Sequence, residues 1–214
     1  MKSFSFKALV VITLIFLSCG SLMAVQKRIT PLKKKPSVVT IKKEKGKWQL
    51  YRNGKPYYVK GVGGWQLLEL LVESGGNSFR TWGVGKETKG LLDDAAKLGL
   101  TVNVGLWVGH ERKGFNYNDA NAVKRQLKEF TKYVKQLKDH PALLMWGIGN
   151  EVQTDYTNPK VWDAINDISK MIHKIDGNHP TLTISNWPSA EVMREIQKRA
   201  PDLDILGLNS YGGL

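Results

Sequence analysis

One cysteine, Cys19, serves all 214 residues, so no disulfide can close within the chain and no cysteine-based metal site can be built. Extended apolar runs are equally scarce: the stretch Ala8 to Leu17 is too short to span a bilayer. The Gly-rich turn Gly61-Val62-Gly63-Gly64 has neither the G-x-G-x-x-G spacing of a dinucleotide site nor a P-loop lysine. His110-Glu111 lacks the second histidine of a zinc helix, so neither a metal nor a cofactor is expected. Acidic residues are almost missing from one region. Residues 25–60 hold twelve Lys or Arg against Glu44 alone, whereas residues 61–214 hold eighteen groups of each sign. The formal charge of +13 therefore sits outside a neutral body, which argues against nucleic acid as the partner.

What is present begins with a leader. Lys2 and Lys7 precede the apolar run, the layout of a secretory signal over residues 1–24 with cleavage after Ala24. A second reading takes Phe16-Leu17-Ser18-Cys19-Gly20 as a lipoprotein signal, with membrane attachment through a lipidated Cys19. Both place the protein outside the cytoplasm, secreted or periplasmic. Residues 25–47 read as a basic linker carrying Lys33-Lys34-Lys35-Pro36 and Lys42-Lys43-Glu44-Lys45-Gly46-Lys47. It is either a solvated tether or a segment drawn to anionic envelope or matrix polymers.

The body, residues 48–214, opens with alternation from Trp48 to Val59 around Asn53-Gly54, the strongest short hairpin signal. This predicts a lid or lead-in to a first strand at about Tyr57 to Val62. Strand and helix patterns then repeat: helix 65–73, strand 77–82, helix 88–98, strand 100–108, helix 118–138, a strand ending at Glu151, helix 159–175, strand 181–185, helix 189–199 and strand 204–208. The helix over 118–138 carries Val123, Leu127, Phe130, Val134 and Leu137 on one face. Successive βα units imply a parallel sheet with helices outside, and the count gives six strands. The expected fold is α/β, an incomplete (β/α)8 TIM barrel preceded by a β-hairpin. A full barrel takes about 250 residues.

The run Leu143 to Ile148 reads as a strand buried on both faces, ending in Asn150-Glu151. In a barrel, the C-terminal ends of the strands carry the chemistry. Arg80 lies inside an apolar strand, where a charge is costly unless paired. Trp82, Trp107 and Trp187 fall near strand ends, where an indole can stack on a ring or fill the core. His110 lies at the exit of the third strand, where it could line a subsite.

Taken together, Asn77-Ser78-Phe79-Arg80-Thr81-Trp82-Gly83, His140-Pro141-Ala142-Leu143, Trp146-Gly147-Ile148-Gly149-Asn150-Glu151 and Leu208-Asn209-Ser210-Tyr211-Gly212 resemble the barrel domain of glycoside hydrolase family 2 and its retaining clan. The resemblance covers roughly residues 48–214. It implies hydrolysis or transglycosylation of β-linked oligo- or polysaccharides, with Glu151 as general acid/base and Asn150 on the sugar hydroxyl beside the reacting carbon. It also implies that Arg80 and Tyr211 brace the nucleophilic carboxylate, which in these families ends strand seven. This chain contains no such strand. Glu111 is on the wrong strand, and Glu191 and Glu195 are on a helix. A protein of another class fits the same facts: a non-catalytic carbohydrate-binding or scaffold protein with a degenerate barrel.

Overall fold

The computed structural model describes residues 29–152, 158–186 and 188–211. The leader, with Ala24 and Cys19, lies outside the described residues, as does Trp187. The chain first forms a three-stranded antiparallel sheet from β1 (Val39–Glu44), β2 (Lys47–Arg52) and β3 (Lys55–Pro56). Both connections are two-residue turns with positive φ at each position, Lys45 (48°) with Gly46 (81°) and Asn53 (51°) with Gly54 (76°). That geometry matches the right-handed strand twist, and Asn-Gly supplies it at little cost.

The second turn confirms the hairpin signal; the first corrects the linker. Residues 39–44 pair with β2 along their whole length, Val39 to Arg52 through Glu44 to Lys47. Alternation was masked there by lysines, because only Val39 of this strand is buried.

Six parallel strands follow in sequential order: β4 (Gly61–Gly63), β5 (Ser78–Arg80), β6 (Thr101–Leu106), β7 (Leu143–Asn150), β8 (Thr181–Asn186) and β9 (Ile205–Asn209). Between them run α1 (Leu68–Glu73), α2 (Thr88–Lys97), α3 (Ala120–Leu137), α4 (Lys160–Ile175) and α5 (Ala190–Arg199). The result is an α/β unit in which a curled parallel half-barrel sheet stands beside the separate antiparallel sheet. None of the helices among the described residues is long and apolar enough to cross a membrane.

The strand side chains divide into two layers. Phe79, Val102, Val104, Leu106, Leu143, Trp146 and Ile148 meet the helices, where Phe130, Val134, Ile165 and Ile168 complete the main core. Leu144, Met145, Leu182 and Ile184 turn to the other side and pack with Val39, Leu50 and Tyr57 of the antiparallel sheet. That sheet thus covers the N-terminal ends of the strands. Arg52 donates to the carbonyl of Pro141 at 2.8 Å, and the Tyr57 hydroxyl donates to that of Asn77 at 3.0 Å. The hairpin is therefore not a lid over the strand ends that carry Glu151. The expected first strand at Tyr57 to Val62 shortens to Gly61–Gly63, because Tyr57 is held by β2 through its N–H to Leu50.

Candidate active site

Strand β7 delivers Asn150 and Glu151. Its pairing with β8 shifts register between Gly147 and Asn150, and Gly149 (φ 73°) and Glu151 (φ 52°) both lie in the left-handed region. A bulge of this kind re-aims the side chains that follow it. The twisted backbone is held by the Glu151 N–H, which donates to the Ile184 carbonyl at 2.7 Å, and by the Thr183 hydroxyl, which donates to Ile148 at 2.7 Å.

The ends of strands two places away on either side converge on this pair. Arg80, the last residue of β5, donates through Nη2 to Asn150 Oδ1 at 2.6 Å. Asn209, the last of β9, donates to Glu151 Oε1 at 2.6 Å and to Asn150 Oδ1 at 3.3 Å. The Tyr211 hydroxyl donates to Glu151 Oε1 at 2.9 Å. Two donors on Asn150 Oδ1 orient the amide so that its NH2 points away from both. Glu151 is half-buried, so its carboxylate is both fixed and reachable.

Burial pulls the Arg80 guanidinium below the ordinary arginine range, and Tyr211 and Glu151 act in the opposite sense. The Tyr211 hydroxyl is pushed up, chiefly by its hydrogen bond to Glu151. A negative charge beside a phenol disfavours phenolate. Trp82 joins the group through Arg80, whose Cζ lies 5.3 Å from the ring centroid. Gly63 makes room for that indole: a Cβ there would come within 3.2 Å of the ring.

Trp107 and His110 form a second cluster at the exit of β6. Their rings stack at 4.9 Å with an interplanar angle of 20°, and Lys113 Nζ lies 5.0 Å over the indole. His110 is 3% exposed. Burial, then Arg112 and Lys113, lower its pKa, which keeps the imidazole neutral near pH 7, while Glu151 opposes them weakly. The cluster is thus within electrostatic reach of Glu151 but shares no hydrogen bond with it among the described residues.

The structure therefore brings Arg80, Asn150, Glu151 and Tyr211 into one network and sets Trp107 and His110 beside it. Within this network Arg80 binds Asn150 and Tyr211 binds Glu151. Asn209 was not singled out in the sequence. The available signal was alternation along β9, which places Asn209 on the same side as Ile205, the residue packed against the inner layer. Among the described residues, no group of three or more His, Cys, Asp or Glu side chains could hold a metal ion.

No family model matches the sequence. Human beta-glucuronidase is 26% identical over 188 residues, covering 77% of this chain and 26% of that protein. Beta-glucuronidase of Canis lupus familiaris is 24% identical over 181 residues, with 76% and 26% covered. Among solved structures, a glycosyl hydrolase family 2 member from Bacteroides cellulosilyticus superposes with a TM-score of 0.63 at 21% identity, covering 81% of this chain and 23% of that one. The chain is similar in sequence to beta-glucuronidases and shares the fold of this glycosidase. A beta-D-glucuronidase from Dictyoglomus thermophilum gives a TM-score of 0.60 at 20% identity over 82% of this chain and 32% of that one. The chain spans about a quarter of the length of the curated relatives it matches (26%).

Proposed function

We propose that this chain supplies most of a (β/α)8 TIM barrel that cleaves, or transfers across, β-glycosidic bonds with retention, β-glucuronides being the leading substrate class. What carries the reading is the convergence of Arg80, Asn209 and Tyr211 on the Asn150–Glu151 pair at one rim of the half-barrel. In this reading Glu151 protonates the departing glycosidic oxygen and later takes a proton from the incoming water or sugar hydroxyl. The Asn150 amide NH2 donates to the neighbouring sugar hydroxyl, a contact that strengthens as positive charge develops on the ring. Trp82 and Trp107 offer partly exposed indole faces for sugar rings. The nucleophile, about 5–5.5 Å from Glu151 in a retaining site, comes from a strand outside these 214 residues. Export through the leader at residues 1–24 places this chemistry on extracytoplasmic glycans.

The test is Glu151→Gln in the enzyme that carries both carboxylates. Turnover of a glycoside with a poor leaving group should fall by roughly 10²- to 10⁴-fold. Azide should restore turnover of an activated aryl glycoside, because that substrate departs without a proton and the azide anion displaces the nucleophilic carboxylate from the glycosyl-enzyme without a general base. Unchanged turnover would remove Glu151 from the reaction. A second reading, a carbohydrate-binding or scaffold protein, is favoured by one observation: no second carboxylate joins the network among the described residues. Calorimetry with β-linked oligosaccharides separates the two, since binding without turnover supports the scaffold.

A further inference from the structure

The antiparallel sheet ends in an exposed tip. From Lys42 to Trp48 every residue is exposed, Trp48 at 70%. Residues 29–60 contain ten Lys or Arg and one acidic residue, Glu44. Lys42, Lys43, Lys45 and Lys47 form no ion pair among the described residues. The tip is nonetheless ordered by its ladder and by the Lys45-Gly46 turn. Lys43 and Trp48 are direct cross-strand partners, with Lys43 Nζ 5.7 Å from the indole centroid. An exposed indole with one ammonium group over it, at a tip that carries three further unpaired lysines, offers an apolar ring and positive charge together. It complements a ligand that has both an apolar ring face and a regularly spaced negative charge.

We infer that the β1–β2 tip, built from Lys43, Lys45, Lys47 and Trp48, is a docking surface for an acidic polysaccharide. A uronate polymer supplies both halves of the match: C–H faces for the indole and one carboxylate per ring for the lysines. The choice of a saccharide over other polyanions rests on the glycosidase reading above. The sheet that carries this surface covers the N-terminal ends of the strands, whereas Glu151 follows the C-terminal end of β7. The tip therefore holds the polymer without occupying the site.

Affinity electrophoresis of the whole chain through gels containing polygalacturonate, a neutral β-glucan or no polymer tests this. Retardation is expected in polygalacturonate alone. Trp48→Ala should weaken it roughly five- to tenfold. Lys43→Gln/Lys45→Gln/Lys47→Gln should abolish it, and Glu151→Gln should leave it unchanged. Because the readout is binding, absence of retardation in the parent chain counts against the tip, whereas an inactive barrel would leave retardation intact. Equal mobility in all gels overturns the inference. So does a full response to the lysine variant with none to Trp48→Ala, which marks simple ion exchange. Preferential competition by single-stranded DNA would assign the tip to nucleic acid instead.

Discussion

Glu151 holds φ at 52°, a region that costs a side chain with a Cβ about 1–2 kcal/mol. The surrounding hydrogen bonds to its backbone and carboxylate keep it there, and strain of this kind clusters at functional sites. The same carboxylate controls Tyr211. Its phenol, ordinarily at 10.0, is raised first by the hydrogen bond to Glu151 and then by burial. Spectrophotometric titration, with Tyr211→Phe identifying the residue's own signal, should find Tyr211 ionising above that value. Glu151→Gln should bring the transition back down toward 10.0, because the removed charge was what opposed phenolate. An unmoved transition would mean that the two side chains do not meet in solution. At this scale Glu151 and Asn150 were legible from position alone, at the end of an apolar run. The Asn209 contact was not, since it joins residues 58 apart in sequence.

Among the elements, α3 shows how far local chemistry reaches. Asp119 accepts from the N–H groups of Asn121 and Ala122 at 2.9 and 3.0 Å, satisfying two donors that have no partner inside the helix. Phe130, Val134 and Leu137 repeat at helical spacing and are buried. Asp119→Ala should cost about 1 kcal/mol of stability in urea titrations, with no change in the helix register. Helix α4 departs slightly from its predicted start. Asn158 accepts from the Lys160 N–H at 3.1 Å, Pro159 occupies the capping position, and the helix runs Lys160–Ile175. Strands were less legible than helices. β4 and β5 hold three residues each, too few to display a period, and β1 hides its alternation beneath lysines.

For the whole molecule the decisive joint is a buried chain of polar groups that ties the antiparallel sheet's lead-in to the half-barrel. The Ser37 hydroxyl donates to the Leu143 carbonyl, so its oxygen accepts from His179 Nε2 at 2.9 Å. His179 Nδ1 faces Asp176 at 2.8 Å, and Trp146 Nε1 donates to the same carboxylate at 2.7 Å. Burial pushes the Asp176 carboxyl up, but His179, Trp146 and Asn178 outweigh it, leaving the group below its ordinary 3.8. A carboxyl depressed on folding contributes stability above its unfolded value. That contribution is lost as pH falls from about 4 through the folded value. Asp176→Ala should cost about 3–5 kcal/mol at pH 7, because His179 and the Trp146 N–H remain buried without their partner. Urea midpoints of the variant should also depend less on pH below 4 than those of the parent.

By itself the sequence determined the order and kind of most elements, the hairpin at Asn53-Gly54 and the place of Glu151 at the end of the fourth parallel strand. These follow from periods and turn chemistry that act over a few residues. Only the tertiary structure decided that residues 39–44 close the N-terminal end of the sheet, that Arg80 serves Asn150, and that Asn209 and Tyr211 both meet Glu151. Those contacts join distant strand ends, whose proximity depends on sheet curvature and register rather than on any local pattern.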